Sequence, residues 1–273
     1  MSDIYIVGSS GMIGRSVVTR LRNSKKSFKT IGRSPECDIK LDLTNIESFD
    51  YDQIMDGSRL LLLSAISSPD LCEAESALAW LINVENTSKL IDRLMRKNIS
   101  VLFASSDVVY GANTVMPHTE YSNFNPKGVY AKSKCEIERL FSGKLGFHSM
   151  RLSYIMGPKD KFISYLTRCY ETGNPAEIFD PFSRCVISID DVVDFIAGFF
   201  NRGAAYPSVV NLCGDKLVSR LDLAKEFAVK MPISIQLVNP DPNFFKVRER
   251  IIECKSQYLH EILGRPPIDV TKF

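Results

Sequence analysis

No apolar run is long enough to cross a bilayer; the longest, residues 60–66, is far short of the roughly 20 residues a spanning helix needs. Histidine is scarce, with three in 273 residues (118, 148 and 260). The seven cysteines (37, 72, 135, 169, 185, 213 and 254) are scattered and never spaced C-x-x-C. These shortages argue against a Cys/His zinc module and a disulfide framework, so no metal site is expected and the thiols read as free. Neither sign of charge dominates: 34 basic against 32 acidic residues leave a net charge of +2. A dedicated nucleic-acid binder would carry a marked basic excess, so neither nucleic acid nor membrane is an expected partner, and small anions remain open. An acidic residue at position 3 and no basic leader predict no signal peptide, hence a cytoplasmic protein. Internal repeats and low-complexity linkers are missing too.

What is present is alternation. Short β-rich runs at 4–7, 28–31, 60–63, 101–104 and 148–152 are separated by helical patterns at 12–22, 71–96 and 129–140. Fully apolar strands alternating with helices predict an α/β fold built on a doubly wound parallel sheet covered on both faces. After residue 152 the character changes. Gly157-Pro158, Gly173-Asn174-Pro175 and Asp180-Pro181 punctuate short segments around a helix at 190–201, a strand at 209–212 and a helix at 221–231. Residues 1–152 therefore read as the domain built on that sheet, and the glycine turn described next makes it the dinucleotide-binding one. Residues 153–273 read mainly as a smaller substrate lobe, with at least one segment returning to the main sheet.

The first strand runs into Gly8-Ser9-Ser10-Gly11-Met12-Ile13-Gly14 and then an amphipathic helix. Gly8 permits a tight turn, Gly11 lets a pyrophosphate approach the backbone, and Gly14 lets helix and strand pack closely. The helix start then offers unpaired N–H groups to phosphates, with Ser10, Met12 and Ile13 on the same path. At the end of the second strand stands Arg33, where an NAD-preferring site places an acid. A cation there suits a 2′-phosphate, which favours NADP(H) and leaves NAD(H) open. Asp42 and Leu43, after the next short strand, are candidates for the adenine edge; a turn or cap role is the alternative for Asp42.

The strand at 101–104 leads into Ser105-Ser106-Asp107-Val108, beyond the carboxyl end of the sheet, where ligands of open α/β sheets bind. Tyr130 and Lys134 follow at i,i+4 spacing and share a helical face. A phenol with a pKa near 10 is a poor proton shuttle at neutral pH, and a neighbouring ammonium should pull it down. Ser106 can orient a substrate oxygen, and Lys134 can also reach ribose hydroxyls.

With those residues in place the chain resembles the extended short-chain dehydrogenase/reductase family, the NAD-dependent epimerase/dehydratase group, over nearly its whole length. The likeness includes the glycine turn, the Leu62-Leu63-Ser64-Ala65 strand end, Asn83-Val84, residues 105–111 and the Tyr130/Lys134 pair. Further on come residues 151–158, Val186 to Asp191 and Asn211 to Asp215. It implies a Rossmann-like sheet, Ser106, Tyr130 and Lys134 as the catalytic set, and Ala65 near the cofactor. Within the family the residues around Tyr130, together with the aromatic Tyr154, look most like the dTDP-4-dehydrorhamnose reductase group. Dehydratases of the family place Asp-Glu where this chain has Asp107-Val108, which disfavours dehydration. Gly128 departs from the reductase pattern, which has asparagine there.

The resemblance implies a reductase of a nucleotide-activated 4-keto-6-deoxy sugar, with Asp107, Val108, Tyr154 and Arg184 on the substrate. The alternatives are a sugar-nucleotide epimerase with retained cofactor and a non-catalytic dinucleotide-binding regulatory subunit. A homodimer through the long helices is a further implication. For Arg184 a salt bridge at the rim is the competing role, and for residues 244–250 a solvated face competes with a phosphate clamp. Arg151 is expected to pair with a carboxylate.

Overall fold

The computed structural model describes residues 3–111, 115–157, 160–202 and 205–271; Pro158 of the 151–158 motif lies outside them. The first part alternates β1 (Ile4–Val7), α1 (Met12–Asn23), β2 (Lys29–Gly32), β3 (Ile39–Lys40) and β4 (Arg59–Leu62). Three helical pieces follow, α2 (Pro69–Ala74), α3 (Ser76–Trp80) and α4 (Thr87–Arg96), then β5 (Ser100–Ser106), α5 (Gly128–Phe141) and β6 (Phe147–Leu152). The second part contains β7 (Ile155–Met156), α6 (Lys161–Thr172), β8 (Ala176–Ile178), β9 (Ser183–Arg184), β10 (Ile187–Ser188) and α7 (Ile189–Arg202). It ends with β11 (Val209–Leu212), β12 (Val218–Ser219), α8 (Arg220–Lys230), β13 (Ile235–Leu237), β14 (Ile251–Ile252) and α9 (Leu259–Leu263).

Seven strands form one sheet in the order β11-β6-β5-β4-β1-β2-β3. Every pairing in it is parallel, so the expected doubly wound α/β architecture is present. Alternation assigns the faces. Ile4 and Ile6 of β1 bury against α1 and α7, while Tyr5 and Val7 bury on the opposite face with Leu90, Ile91 and Leu94 of α4. The strand order reverses at β1, which lies between β2 and β4. The crevice beyond the carboxyl ends of the strands at such a switch point is where open sheets hold ligands.

The helix predicted over 71–96 is broken. Residues 81–86 form a wider turn between α3 and α4. The Asn83 side chain accepts from the Ile66 N–H (2.8 Å) and donates to the Ile66 carbonyl (2.9 Å), and Asn86 donates to the Leu43 carbonyl (2.8 Å). Two buried asparagines are thereby aimed at the loops that leave β4 and β3, a use typical of such bulges. Helix α6 went unpredicted, although both of its stops are visible. Asp160 accepts from the Phe162 and Ile163 N–H groups, and Gly173 ends the helix at φ +70°.

α6 and α8 pack a separate core around Phe162, Leu166, Ile178, Leu223 and Phe227. That core abuts the main sheet's carboxyl edge through β7 and β10, which pair in parallel. Beneath the main site, Arg151 and Glu138 form a buried ion pair. Arg151 Nε lies 3.1 and 3.0 Å from the two carboxylate oxygens, and its Nη2 lies 2.7 Å from Oε2. The expected carboxylate partner of Arg151 is thus supplied by the helix that carries Tyr130.

Candidate active site

The turn after β1 is set by contacts that only glycine allows. Gly8 has φ +91°, and its N–H donates to the Ile31 carbonyl (3.1 Å), which fixes the turn against β2. A Cβ on Gly14 would lie 2.4 Å from the Gly8 carbonyl oxygen and 2.7 Å from Ser9 Cα, so α1 could not pack so close to the turn with any other residue. A Cβ on Gly11 would meet only the Gly8 oxygen, at 3.7 Å. Packing inside the protein therefore demands glycine at 8 and 14 but not at 11, where openness serves a ligand approaching the backbone. Gly11 is also the N-cap of α1 and supplies no side-chain acceptor, so the first N–H groups of the helix are free for phosphate oxygens. These features fit a dinucleotide.

Ser10, Met12 and Ile13 of this turn line a cavity of about 910 Å³ together with Ser106, Asp107, Val108, Tyr130, Tyr154 and Arg184. Arg33 and Asp42 line a separate cavity of about 310 Å³ beside Lys40 and Phe49. Asp42 Oδ1 accepts from the Thr44 N–H (2.9 Å), so the carboxylate does act as a turn cap; that bond and the nearby Arg33 hold its pKa below the usual range. Leu43 turns its side chain into the core and gives its carbonyl to Asn86, so only its backbone borders this region. Ala65 is half-buried between Ser64, whose Oγ lies 2.8 Å from where a Gly8 Cβ would stand, and the pinned Ile66. It lines neither cavity.

Ser106 and Tyr130 reach the large cavity from the end of β5 and the start of α5. Ser106 Oγ donates to Asp107 Oδ1 (3.2 Å) and accepts weakly from the Val108 N–H (3.4 Å). Lys134 stands one turn behind Tyr130 and is buried. Its Nζ donates to the Ala104 carbonyl (2.7 Å), lies 4.6 Å from the Phe103 ring centroid and 5.7 Å from that of Tyr130. The ammonium does not depress the phenol here as the spacing suggested. Burial raises the Tyr130 pKa above 10, with Asp107 and Cys72 adding to it. Burial also lowers the Lys134 pKa from 10.5 to about 8. Desolvation penalises both charged forms and is the largest influence on each.

Asp107 is buried, with Ser153 Oγ donating to Oδ2 (2.8 Å) and Arg184 Nε 3.7 Å away. Burial pushes its carboxyl pKa up, against the opposing pull of Arg184 and the two serines. Arg184 is no rim residue. Its Nη1 donates to the Ser183 carbonyl (2.7 Å) and its Nη2 to that of Glu249 (2.8 Å), which holds the guanidinium under the cavity against Asp107. The Tyr154 hydroxyl donates to Asp160 (2.7 Å), the cap of α6. Residues 244–250 are docked rather than solvated. Arg248 pairs with Asp70 at 2.7 and 2.5 Å, Glu249 with Lys127 at 3.2 Å, and Arg250 lies 3.8 Å from the Phe245 ring centroid. Tyr110, by contrast, is structural: its hydroxyl bonds Asn211 (2.6 Å) and receives Arg151 Nη1 (2.8 Å).

Gly128 explains its own departure from the reductase pattern. It has φ +78°, and a Cβ there would lie 2.9 Å from Glu73 Oε1 and 3.1 Å from Val247 Cβ. Glu73 accepts the Val129 N–H (2.5 Å) and so caps the helix that presents Tyr130. Sequence reasoning missed Glu73, Ser153, Asp160 and Arg220. Asp160 and the Ser219–Asp222 capping box were legible as helix starts, but nothing in the sequence marks these side chains as facing a cavity.

With this geometry in hand, comparison with known proteins adds lineage. The sequence profile of the NAD dependent epimerase/dehydratase family matches residues 4–213. A dTDP-4-dehydrorhamnose reductase of Aggregatibacter actinomycetemcomitans is 30% identical over 148 residues, 51% of this chain and 47% of that protein. The match thus spans about half the length of that relative. Among solved structures, dTDP-4-dehydrorhamnose reductase from Yersinia enterocolitica superposes with a TM-score of 0.84 at 19% identity, covering 98% of this chain and 94% of that one. MoeE5 in complex with UDP-glucose and NAD gives 0.83 at 21% identity, covering 99% and 95%. UDP-glucose 4-epimerase from Thermotoga maritima with UDP-glucose gives 0.81 at 18%, covering 99% and 95%. At such identities these structures speak for the fold.

Proposed function

The chain belongs to the NAD dependent epimerase/dehydratase family, and from that premise we propose that it is an NADP(H)-dependent reductase of a nucleotide-activated 4-keto-6-deoxy sugar. The observation that carries the reading is one cavity of about 910 Å³ whose walls bring Ser106 and Tyr130 against the opening of α1. The relatives named above, two of them reductases and two bound to UDP-glucose, supply the substrate class. Residues 1–152 would carry the dinucleotide, while 153–273 shape the sugar-nucleotide end. Gly11 and the α1 N-terminus would hold the pyrophosphate, and Arg33 with Lys40 a 2′-phosphate. When bound, the cofactor supplies the hydride for the keto carbon.

The protein's own groups then do the rest. The Ser106 hydroxyl turns its one proton from Asp107 to the carbonyl oxygen and orients it, and Tyr130 gives its phenolic proton to the developing alkoxide. Lys134 keeps two N–H donors beyond the one spent on Ala104, enough for ribose hydroxyls and for returning a proton toward Tyr130. Asp107, held by Ser153 and Arg184, borders the sugar with Val108 and Tyr154. Reduction needs only the neutral phenol, which gives its proton to the ketone oxygen, whereas an epimerase must also start from the phenolate. Dehydration is disfavoured because Val108 follows Asp107.

The test is turnover of dTDP- and UDP-linked 4-keto-6-deoxy sugars with NADPH and with NADH. Stoichiometric NADPH oxidation is expected, with Tyr130→Phe lowering turnover about 10²–10⁴-fold and leaving NADPH binding within about threefold. Interconversion of sugars without net NADPH oxidation would favour an epimerase. Unimpaired turnover in Tyr130→Phe would refute the mechanism.

A further inference from the structure

Helix α5 carries Tyr130 in its first turn but brings no cap of its own. Its N-cap residue is Lys127, which has no acceptor to offer, and its first turn holds no acid. A lysine there also sets a positive charge at the positive end of the helix. The Tyr130 hydroxyl takes part in no hydrogen bond with a described side chain, so its place depends on the backbone of this one turn.

The missing cap comes from α2. Glu73 Oε1 accepts the Val129 N–H at 2.5 Å, one residue before Tyr130. The chain is shaped to admit that oxygen: Gly128 enters the helix at φ +78°, and a Cβ on it would stand 2.9 Å from Oε1. Helix α2 is itself fixed in place. Ser68 Oγ accepts the Leu71 N–H (3.4 Å), Cys72 Sγ donates to the Ile66 carbonyl (3.2 Å), and Asp70 takes Arg248 at 2.7 and 2.5 Å. From the other side Val247 closes over Gly128, its Cβ 3.1 Å from where a Gly128 Cβ would stand, and Glu249 pairs with Lys127 at 3.2 Å. Three segments distant in sequence thus meet around the N–H that precedes the phenol, and Glu73 is the residue that bonds it.

We infer that Glu73 is a positioning residue: by holding the Val129 N–H it fixes the first turn of α5, and with it the place of the Tyr130 hydroxyl against the substrate oxygen. The catalytic consequence rests on the function proposed above; the placement of the ring does not. What matters is the reach of an acceptor oxygen rather than its charge, since Asp107 and Cys72, and not Glu73, are the groups whose charge acts on the phenol. Glutamine reaches as far as glutamate and keeps the oxygen, aspartate keeps the charge but falls a methylene short, and alanine offers neither.

The experiment compares Glu73→Ala, Glu73→Asp and Glu73→Gln in the NADPH-saturated protein. Tyr130 is followed by NMR in protein carrying carbon-13-labelled tyrosine, its resonance assigned by its loss in Tyr130→Phe. That resonance should shift or broaden in Glu73→Ala and Glu73→Asp and stay in place in Glu73→Gln. With a 4-keto-6-deoxy sugar nucleotide, kcat should fall about 10–100-fold in Glu73→Ala, fall less in Glu73→Asp, and return to within about threefold of the wild type in Glu73→Gln. KM and NADPH affinity should stay within about threefold throughout. A helix end that was merely stabilised would lower Tm and leave kcat and the ring signal where they were, and that result overturns the inference. Equal losses in Glu73→Gln and Glu73→Ala overturn it too, because charge rather than reach would then be the active property. Should Glu73→Ala fold poorly, the Glu73→Asp and Glu73→Gln pair decides alone. A wild type that turns over no sugar nucleotide, while its Tyr130 signal responds to Glu73 as expected, would sink the proposed function and leave the positioning standing. Normal reduction with a ring signal and kcat indifferent to Glu73 would do the reverse.

Discussion

Replacing Lys134 with methionine should make the protein more stable at neutral pH while abolishing its catalysis. The lysine is only 4% exposed, and its Nζ has one fixed partner, the Ala104 carbonyl at 2.7 Å. Burial is the largest influence on it, with Cys72 and Glu138 opposing, and the pKa falls from 10.5 to about 8. Holding the charged form in the folded state therefore costs roughly 3 kcal/mol at pH 7. Because the folded protein binds this proton less tightly than the unfolded chain does, the destabilisation is complete below pH 8, shrinks between 8 and 10.5, and vanishes above. Methionine removes that cost and forfeits an amine–carbonyl hydrogen bond of about 1 kcal/mol, a net gain near 2 kcal/mol. For a chain of this size that is a rise of about 4–8 °C in Tm. Thermal unfolding of both proteins at pH 7 and again above pH 10, without added dinucleotide, reads the effect. A Tm difference independent of pH, or a less stable variant at pH 7, would refute the desolvation argument.

The glycine turn separates packing from ligand binding. Gly14→Ala forces a Cβ to within 2.4 Å of the Gly8 carbonyl oxygen and should both lower Tm and abolish NADPH binding, whereas Gly11→Ala, with only a 3.7 Å contact, should keep its Tm and lose dinucleotide affinity. Equal Tm losses would show that the asymmetry is not real. Glu138→Gln strands the Arg151 guanidinium, whose side chain is 5% exposed, without its counter-charge. It is expected to cost about 3–5 kcal/mol in denaturant unfolding; a loss below 1 kcal/mol would mean that the bonds from Arg151 Nη1 to the Tyr110 hydroxyl (2.8 Å) and the Glu120 carbonyl (3.0 Å) suffice to hold it.

The parallel sheet was legible because its strands are buried on both faces and so read as unbroken apolar runs. The turn at Gly8 was legible because its backbone geometry admits one residue type. What escaped depended on who packs against whom. Asn83 and Asn86 look like ordinary helix positions until the loops they bond are known, so α2 to α4 read as one helix. Arg184 reads in the sequence as one more arginine beside aromatic residues; only the carbonyls of Ser183 and Glu249 and the carboxylate of Asp107 show that it is held beneath the cavity. The Tyr130/Lys134 spacing correctly implied one helical face, but spacing carries no information about desolvation, which governs both pKa values.

That desolvation makes the pH dependence of reduction a sharp test of the roles of Lys134 and Asp107. Tyr130 is held above its usual pKa, so the proton donor stays loaded through the neutral range. Lys134 titrates first, near pH 8, and its charge is what attracts the electrons and ribose oxygens around the phenol. Reduction should therefore run level from about pH 6.5 to 7.5 and fall above pH 8 with a slope of one. On the acid side, Asp107 has a raised pKa, so protonation releases its pairing with Arg184 sooner than for an ordinary aspartate, and affinity for substrate should drop there first. Lys134→Arg, which keeps its charge at all accessible pH, should push the alkaline limb upward even if its maximal rate is lower. An unmoved limb in that variant would assign the titration to some other group, and with it would go the claim that the buried ammonium, rather than the phenol, sets the upper pH boundary of the reaction.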